Sequence, residues 1–184
     1  MQKGFTLVEL IVVILIILIL TAVVLGNYQP GGQMLALQRS AAKLAQDLRL
    51  AQEMTMGSRE YAGCPDPAGY GIYFHEHPVA NPSKPGRNAY FLFVDCTHPP
   101  LGEFDGGSDD WERIYFEQDI EFIGADFSDG NNDFGVVTII FYPPGPQVLI
   151  KCPTGFCEWV DIKFSINGRE KEVHVNNKGL IYVK

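Results

Sequence analysis

Leu10-Ile11-Val12-Val13-Ile14-Leu15-Ile16-Ile17-Leu18-Ile19-Leu20 is an unbroken run of leucine, isoleucine and valine. Phe5 to Val8 precede it and Ala22 to Leu25 follow it, apart from Glu9 and Thr21 at the joins. The whole gives about twenty mostly apolar positions, enough at ~1.5 Å per residue to cross the ~30 Å hydrocarbon core of a bilayer. Lys3 lies just before the segment, and a lysine on that side favours a cytoplasmic N-terminus. A secretory signal has a shorter apolar run followed by a small-residue cleavage site. Here the run is longer, and Ala22 and Gly26 are weak candidates for such a site. The segment therefore reads as a retained membrane anchor.

Glu9 is the charge inside this anchor. A carboxylate in a membrane helix is costly and normally has a partner or a function. Spacing leaves two readings open: an assembly contact, or a side chain near the cytoplasmic interface that reaches water.

The remainder reads as an aromatic-rich domain with many Gly and Pro. The chain has 184 residues, enough for one domain with a hydrophobic core. Its net charge of -8 argues against phosphate-backbone binding as the main role, because such proteins carry a clustered basic excess. No nucleic-acid partner is expected.

Gly26-Asn27-Tyr28-Gln29-Pro30-Gly31-Gly32 is expected to interrupt the helix, since Pro30 lacks a backbone donor and the glycines add freedom. A kink and a plain linker both fit. From Met34 to Ser58 helical periodicity returns, with Leu37, Ala41, Leu44, Ala45, Leu48 and Ala51 on one face. Lys43 and Asp47 are spaced to pair across one turn. This amphipathic helix should lie on a sheet, and Gly57, Gly63 and Pro65 mark its exit.

From Gly69 the period changes to two. Strands are read at 70–74, 89–95, 113–116, 120–123, 136–142, 147–151, 160–166, 170–175 and 180–183. Val160, Ile162, Phe164 and Ile166 alternate with Asp161, Lys163 and Ser165, so that strand has one buried face. Asn167-Gly168 is a two-residue hairpin turn, and Asn177-Lys178-Gly179 makes the next reversal. The boundaries are thus 5–26 for the anchor, 27–33 for the interruption, 34–59 for the second helix and 60–184 for a β-rich head.

Gly4-Phe5-Thr6-Leu7-Val8-Glu9-Leu10, followed by Ile11-Val12-Val13-Ile14, resembles the processing site of type IV prepilins and pseudopilins. The resemblance implies a leader over residues 1–4, a prepilin peptidase cut between Gly4 and Phe5, N-methylation of the new amine on Phe5, and a pairing of Glu9 with that amine on a neighbouring subunit. More loosely, several stretches resemble the H-type minor pseudopilins of type II secretion and their pilus relatives. These are Arg39-Ser40-Ala41-Ala42, Leu48-Arg49-Leu50-Ala51, Tyr70-Gly71-Ile72-Tyr73-Phe74, Tyr90-Phe91-Leu92-Phe93-Val94-Asp95, Ile139-Ile140-Phe141-Tyr142-Pro143-Pro144-Gly145 and Val175-Asn176-Asn177-Lys178-Gly179-Leu180-Ile181. That implies an α+β fold, a long N-terminal helix packed on an antiparallel β head. The implied partners are other pilin or pseudopilin subunits, the peptidase and an inner-membrane assembly platform. The implied location is the inner membrane, with the head outside the cytoplasm, and then a periplasmic pseudopilus or a surface pilus. Some of these relatives bind DNA through a basic surface, whereas this chain is acidic.

Cys64, Cys96, Cys152 and Cys157 permit three pairings. An external head tolerates disulfides, and Cys152-Pro153-Thr154-Gly155-Phe156-Cys157 suits a local staple, which leaves Cys64 for Cys96. A zinc site is the rival, without the usual C-x2-C spacing. His75-Glu76-His77 reads as solvated histidines at a strand end in preference to a metal site. Asp105 to Asp110 reads as a solvated acidic turn in preference to a calcium loop. Trp111 and Trp159 suit either a binding face or the core. No nucleophile elbow, phosphate loop or acid pair stands out, so no enzyme activity and no cofactor are expected. The expected function is a structural or assembly subunit; the alternative is a filament-displayed binding module for DNA, a surface or a secreted substrate.

Overall fold

The amphipathic stripe read from the sequence is the buried face of the helix. Leu37, Ala41, Leu44, Leu48 and Ala51 are each fully buried and Ala45 is nearly so. The computed structural model describes residues 4, 6–57, 60–61, 64, 66–75, 86–96, 110–117, 119–130, 132–133, 135–143, 145 and 147–184, with backbone alone at 26–30, 110–111 and 132–133. These residues fall into two compact units, Met1–Ala36 and Leu37–Lys184. The helical stretch from Leu37 onward therefore groups with the β-rich head in one compact unit.

Helix α1 runs from Leu7 to Met56 without a break. The interruption expected over 27–33 is thus corrected. Pro30 deprives one carbonyl, four residues back, of its donor, and the bonds on either side bridge that gap. Each glycine lowers helix propensity by only about 1 kcal/mol. Extending a helix already nucleated on both sides avoids the costly first turn. Gly57 closes the helix, its N–H donating to the Glu53 carbonyl at 2.9 Å.

Eleven strands follow among the described residues: β1 Gly69–His75, β2 Ala89–Asp95, β3 Asp110–Tyr115, β4 Glu121–Phe127, β5 Asn132–Asp133, β6 Val136–Tyr142, β7 Gln147–Cys152, β8 Gly155–Cys157, β9 Trp159–Ile166, β10 Arg169–Asn176 and β11 Ile181–Val183. They form two antiparallel sheets. One has the order β3-β2-β1-β6-β7-β8 and the other β11-β10-β9-β4-β5. The α+β class expected from the sequence holds, with two sheets in the head.

Strand β1 is central and buried along its whole length. Gly71 faces Phe93 on one side and Ile140 on the other. A Cβ there would sit 2.5 Å from the Ile139 carbonyl oxygen and 2.9 Å from both the Phe93 and Ile140 side chains. Glycine lets those two large residues close over the strand, in a cluster with Tyr73, Phe91 and Tyr142. On the opposite face Phe74 meets Tyr90 and Phe122, Tyr90 meets Phe116, and Phe116 meets Phe164, at centroid distances of 5.2–5.5 Å. This chain of rings links β1 of the first sheet to β4 and β9 of the second.

Polar groups fix the helix against this core. The Tyr90 hydroxyl donates to Asp47 Oδ2 at 2.5 Å, so Asp47 ties the helix to the sheet. Thr55 Oγ1 donates to the Phe141 carbonyl at 3.1 Å. Arg49 Nη2 donates to the Ile181 carbonyl at 3.2 Å, which occupies part of an otherwise open edge strand. Asn167 and Gly168 have φ of 50° and 77°, the left-handed pair a type I′ hairpin requires.

Two strands escaped the sequence pattern, β5 and β8, because two or three residues carry no periodicity. β4 reaches Phe127, beyond the expected end at Ile123. A register shift between Phe122 and Gly124 breaks the alternation on which the reading depended.

Candidate functional site

The N-terminal motif is built on a helix start. Thr6 precedes the first helical residue, and its Oγ1 accepts the Glu9 N–H at 3.3 Å. Its carbonyl accepts the Leu10 N–H at 3.3 Å. Thr6 is therefore the N-cap and Glu9 the third helical residue, the place where a capping box carries its acid. A carboxylate in the first turn also complements the positive end of the helix dipole. The sequence reading missed Thr6, although Thr-x-x-Glu ahead of an apolar run is a recognisable signal. Gly4 lies outside the helix. Phe5, to which cleavage and methylation were assigned, lies outside the described residues.

Leu7–Leu25 is a 19-residue stretch long and apolar enough to cross a membrane, and none of it is buried. Its large side chains are 46–74 % exposed. The Thr21 hydroxyl donates to the Ile17 carbonyl at 2.7 Å, so that polar group is satisfied within the helix. Apolar area costs about 25 cal/mol per Å² in water. A continuous uncovered apolar helix therefore calls for lipid or other apolar chains around it.

In the head, Cys64 is joined to Cys96 with Cα atoms 5.7 Å apart, and Cys152 to Cys157 with Cα atoms 6.0 Å apart, both ordinary spans for a disulfide. The first links the segment before β1 to the end of β2. The second staples the β7–β8 hairpin. Asp129 lies with Cys152 and Cys157 in a group whose ligand atoms are within 4.8 Å of one another. The two sulfurs are bonded to each other, and the Asp129 carboxylate accepts from the Thr154 hydroxyl.

His75 is buried, its ring 6.3 Å from that of Tyr73. This corrects the solvated reading, because β1 is interior to its last residue. Glu76 and His77, and Asp105 to Asp109, lie outside the described residues, as does the Trp111 side chain.

The structure assembles two polar groups that the sequence did not bring together. Asp161 on β9 is buried and bonds His174 Nδ1 at 2.7 Å and Lys184 Nζ at 2.5 Å. The His174 ring lies 5.9 Å from Trp159 and 4.8 Å from Tyr182, which gives Trp159 a packing partner on the sheet surface. The bond to Asp161 is the main reason the Lys184 ammonium is held above its ordinary range. Near the helix, Arg39 Nε and Nη2 grip Glu117 at 2.8 and 2.7 Å, and this bidentate bond holds the Glu117 carboxyl below the usual range.

Comparison with known proteins bears on the N-terminal segment. Residues 1–25 match the prokaryotic N-terminal methylation motif. No curated protein and no solved structure matches the chain. The motif implies processing by a prepilin peptidase and assembly with other pilins. Joined to an uncovered apolar helix and an α+β head, it supports a membrane-anchored, type IV pilin-like protein.

Proposed function

We propose that this chain is a minor pseudopilin or minor pilin, a structural subunit of a type II secretion pseudopilus or type IV pilus, and not an enzyme. The observation that carries the reading is the methylation motif running directly into an apolar helix with nothing covering it. In this reading the peptidase cuts between Gly4 and Phe5, and Phe5 becomes the methylated N-terminus. Glu9 then meets the Phe5 amine of a neighbouring subunit, a pairing that offsets the cost of a carboxylate among apolar helices. The precursor sits once through the inner membrane with its head outside, and an assembly platform there passes it to the filament.

The minor rank rests on the resemblance of the second helix and head to the H-type subunits. It also rests on the proline- and glycine-rich stretches at 78–87 and 99–110, long enough to form a specialised surface. A bulk subunit must repeat the same contacts at every lattice position.

Mass spectrometry of the native protein tests the processing step: the expected N-terminus is methylated Phe5. A chain still starting at Met1, or cut near Gly26, would overturn the assignment. Quantitative mass spectrometry of sheared filaments tests the rank. A copy number equal to that of the most abundant subunit would remove the minor role and leave the pilin-like one.

A further inference from the structure

The β7–β8 hairpin and the turn after β4 bring three ligand-type side chains together. Cys152 ends β7 and Cys157 ends β8, and Asp129 lies in the turn. A carboxylate oxygen of Asp129 and the two sulfurs all lie within 4.8 Å of one another. Both cysteines are buried and Asp129 is exposed, so the group opens to solvent on the carboxylate side.

The turn that carries Asp129 is fastened to the residues just after Cys157. The Ser128 N–H donates to the Trp159 carbonyl at 3.2 Å, and the Ser128 hydroxyl accepts the Glu158 N–H at 2.9 Å. The Gly130 N–H closes the turn on the Phe127 carbonyl at 3.1 Å. From within the hairpin, the Thr154 hydroxyl donates to the Asp129 carboxylate, and its oxygen is 3.9 Å from Cys152 Sγ. Carboxylates that ligate metals are themselves held by hydrogen bonds of this kind, which orient the oxygen that faces the ion.

In the oxidised chain the two sulfurs are bonded to each other. Cytosolic thiols keep cysteines reduced, so the pair is a dithiol wherever the chain meets such a reductant. Two thiolates with one carboxylate form a donor set suited to tetrahedral zinc, whereas calcium takes oxygen ligands. Pro153, Thr154, Gly155 and Phe156 separate the cysteines, the long end of the spacing of zinc-binding pairs. We propose that the reduced hairpin is a zinc site, with Cys152 and Cys157 as thiolate ligands, Asp129 as the carboxylate ligand and water in the fourth position. Exchange with a thiol opens it: two R–SH leave as R–S–S–R, and Cys152 and Cys157 take up their two hydrogens. Zinc then displaces both thiol protons as two S–Zn bonds and one O–Zn bond form. The ion and the disulfide are alternative staples for one hairpin, selected by the redox state around the head. This reading goes beyond filament membership and stands whether or not the chain is a minor subunit.

The test uses the full chain in detergent micelles, reduced by a phosphine and titrated with cobalt(II) in the absence of oxygen. One cobalt per chain should bind, with the visible bands of a tetrahedral ion and an ultraviolet sulfur-to-cobalt band, and equimolar zinc should bleach both. Cys64→Ser/Cys96→Ser should keep these bands, and Cys152→Ser/Cys157→Ser should lose them. Asp129→Asn should weaken cobalt binding by about tenfold or more, and the oxidised chain should show no bands. Melts report the fold: zinc should raise the melting temperature of the reduced wild type and leave that of reduced Cys152→Ser/Cys157→Ser unchanged. Absence of the bands in the reduced wild type, their persistence in Cys152→Ser/Cys157→Ser, or unchanged affinity in Asp129→Asn would each overturn the proposal.

Discussion

Tyr90 and Tyr142 are both buried phenols, but their hydroxyls stand differently. Tyr90 donates to Asp47, and burial followed by that carboxylate holds its proton far above the ordinary range. Tyr142 is pushed up to about 12 by burial, with Asp95 adding to it. A phenol that ionises near 10 when unfolded and near 12 when folded keeps its proton longer in the native state. Its contribution to stability is therefore complete below pH 10 and is lost progressively as pH rises from about 10 to 12. Tyr142→Phe should leave the neutral-pH melting temperature close to wild type and reduce the fall between pH 9 and pH 11. Thermal melts at the two pH values check this. An unchanged alkaline loss would show that the phenol does not titrate in this window.

At the level of elements, the two disulfides close loops of very different length, 32 and 5 residues of separation. If cross-links act chiefly on the unfolded chain, their effect grows with loop length: about 4 kcal/mol for Cys64–Cys96 and about 2 kcal/mol for Cys152–Cys157. The Cys64→Ser/Cys96→Ser double variant should thus lose more stability than Cys152→Ser/Cys157→Ser in denaturant melts. The reverse order would place the main effect in the native packing around the β7–β8 staple. Gly71 lies among the elements that neither link touches. There the close approach of Phe93 and Ile140 depends on the absence of a side chain.

For the whole molecule, the division lies inside α1. The buried core begins at Leu37, and the side chains of Leu7–Leu25 have no cover. One part folds around its own core, and the other depends on what surrounds it. Glu9 belongs to the second part and carries two candidate roles, closing the helix start with Thr6 and pairing with a neighbouring subunit. Glu9→Gln separates them, because an amide still serves a capping box while the charge is gone. Both Glu9→Gln and Glu9→Ala should insert into the membrane and fail to enter filaments, as read by membrane fractionation and by the subunit content of sheared filaments. Normal incorporation of Glu9→Gln would assign the residue to capping alone.

The anchor, the helix stripe from Leu37 to Ala51 and most strands were legible in the sequence because each is a local pattern. Neighbouring residues alone decide whether a stretch is apolar throughout, apolar every third or fourth position, or apolar every second. The Asn167-Gly168 turn was legible for the same reason, since its dihedrals follow from its own two residues. Tertiary structure alone decided the rest. Continuity of α1 through Pro30 depends on two flanking helices at once. The division into two sheets depends on which strands find each other, and the bulge in β4 hides its length from any periodic reading. The Asp161, His174 and Lys184 cluster and the Arg39–Glu117 pair join residues far apart in the chain. Neither has a local signature, because a contact made by chain reversal leaves no mark on the spacing of its members.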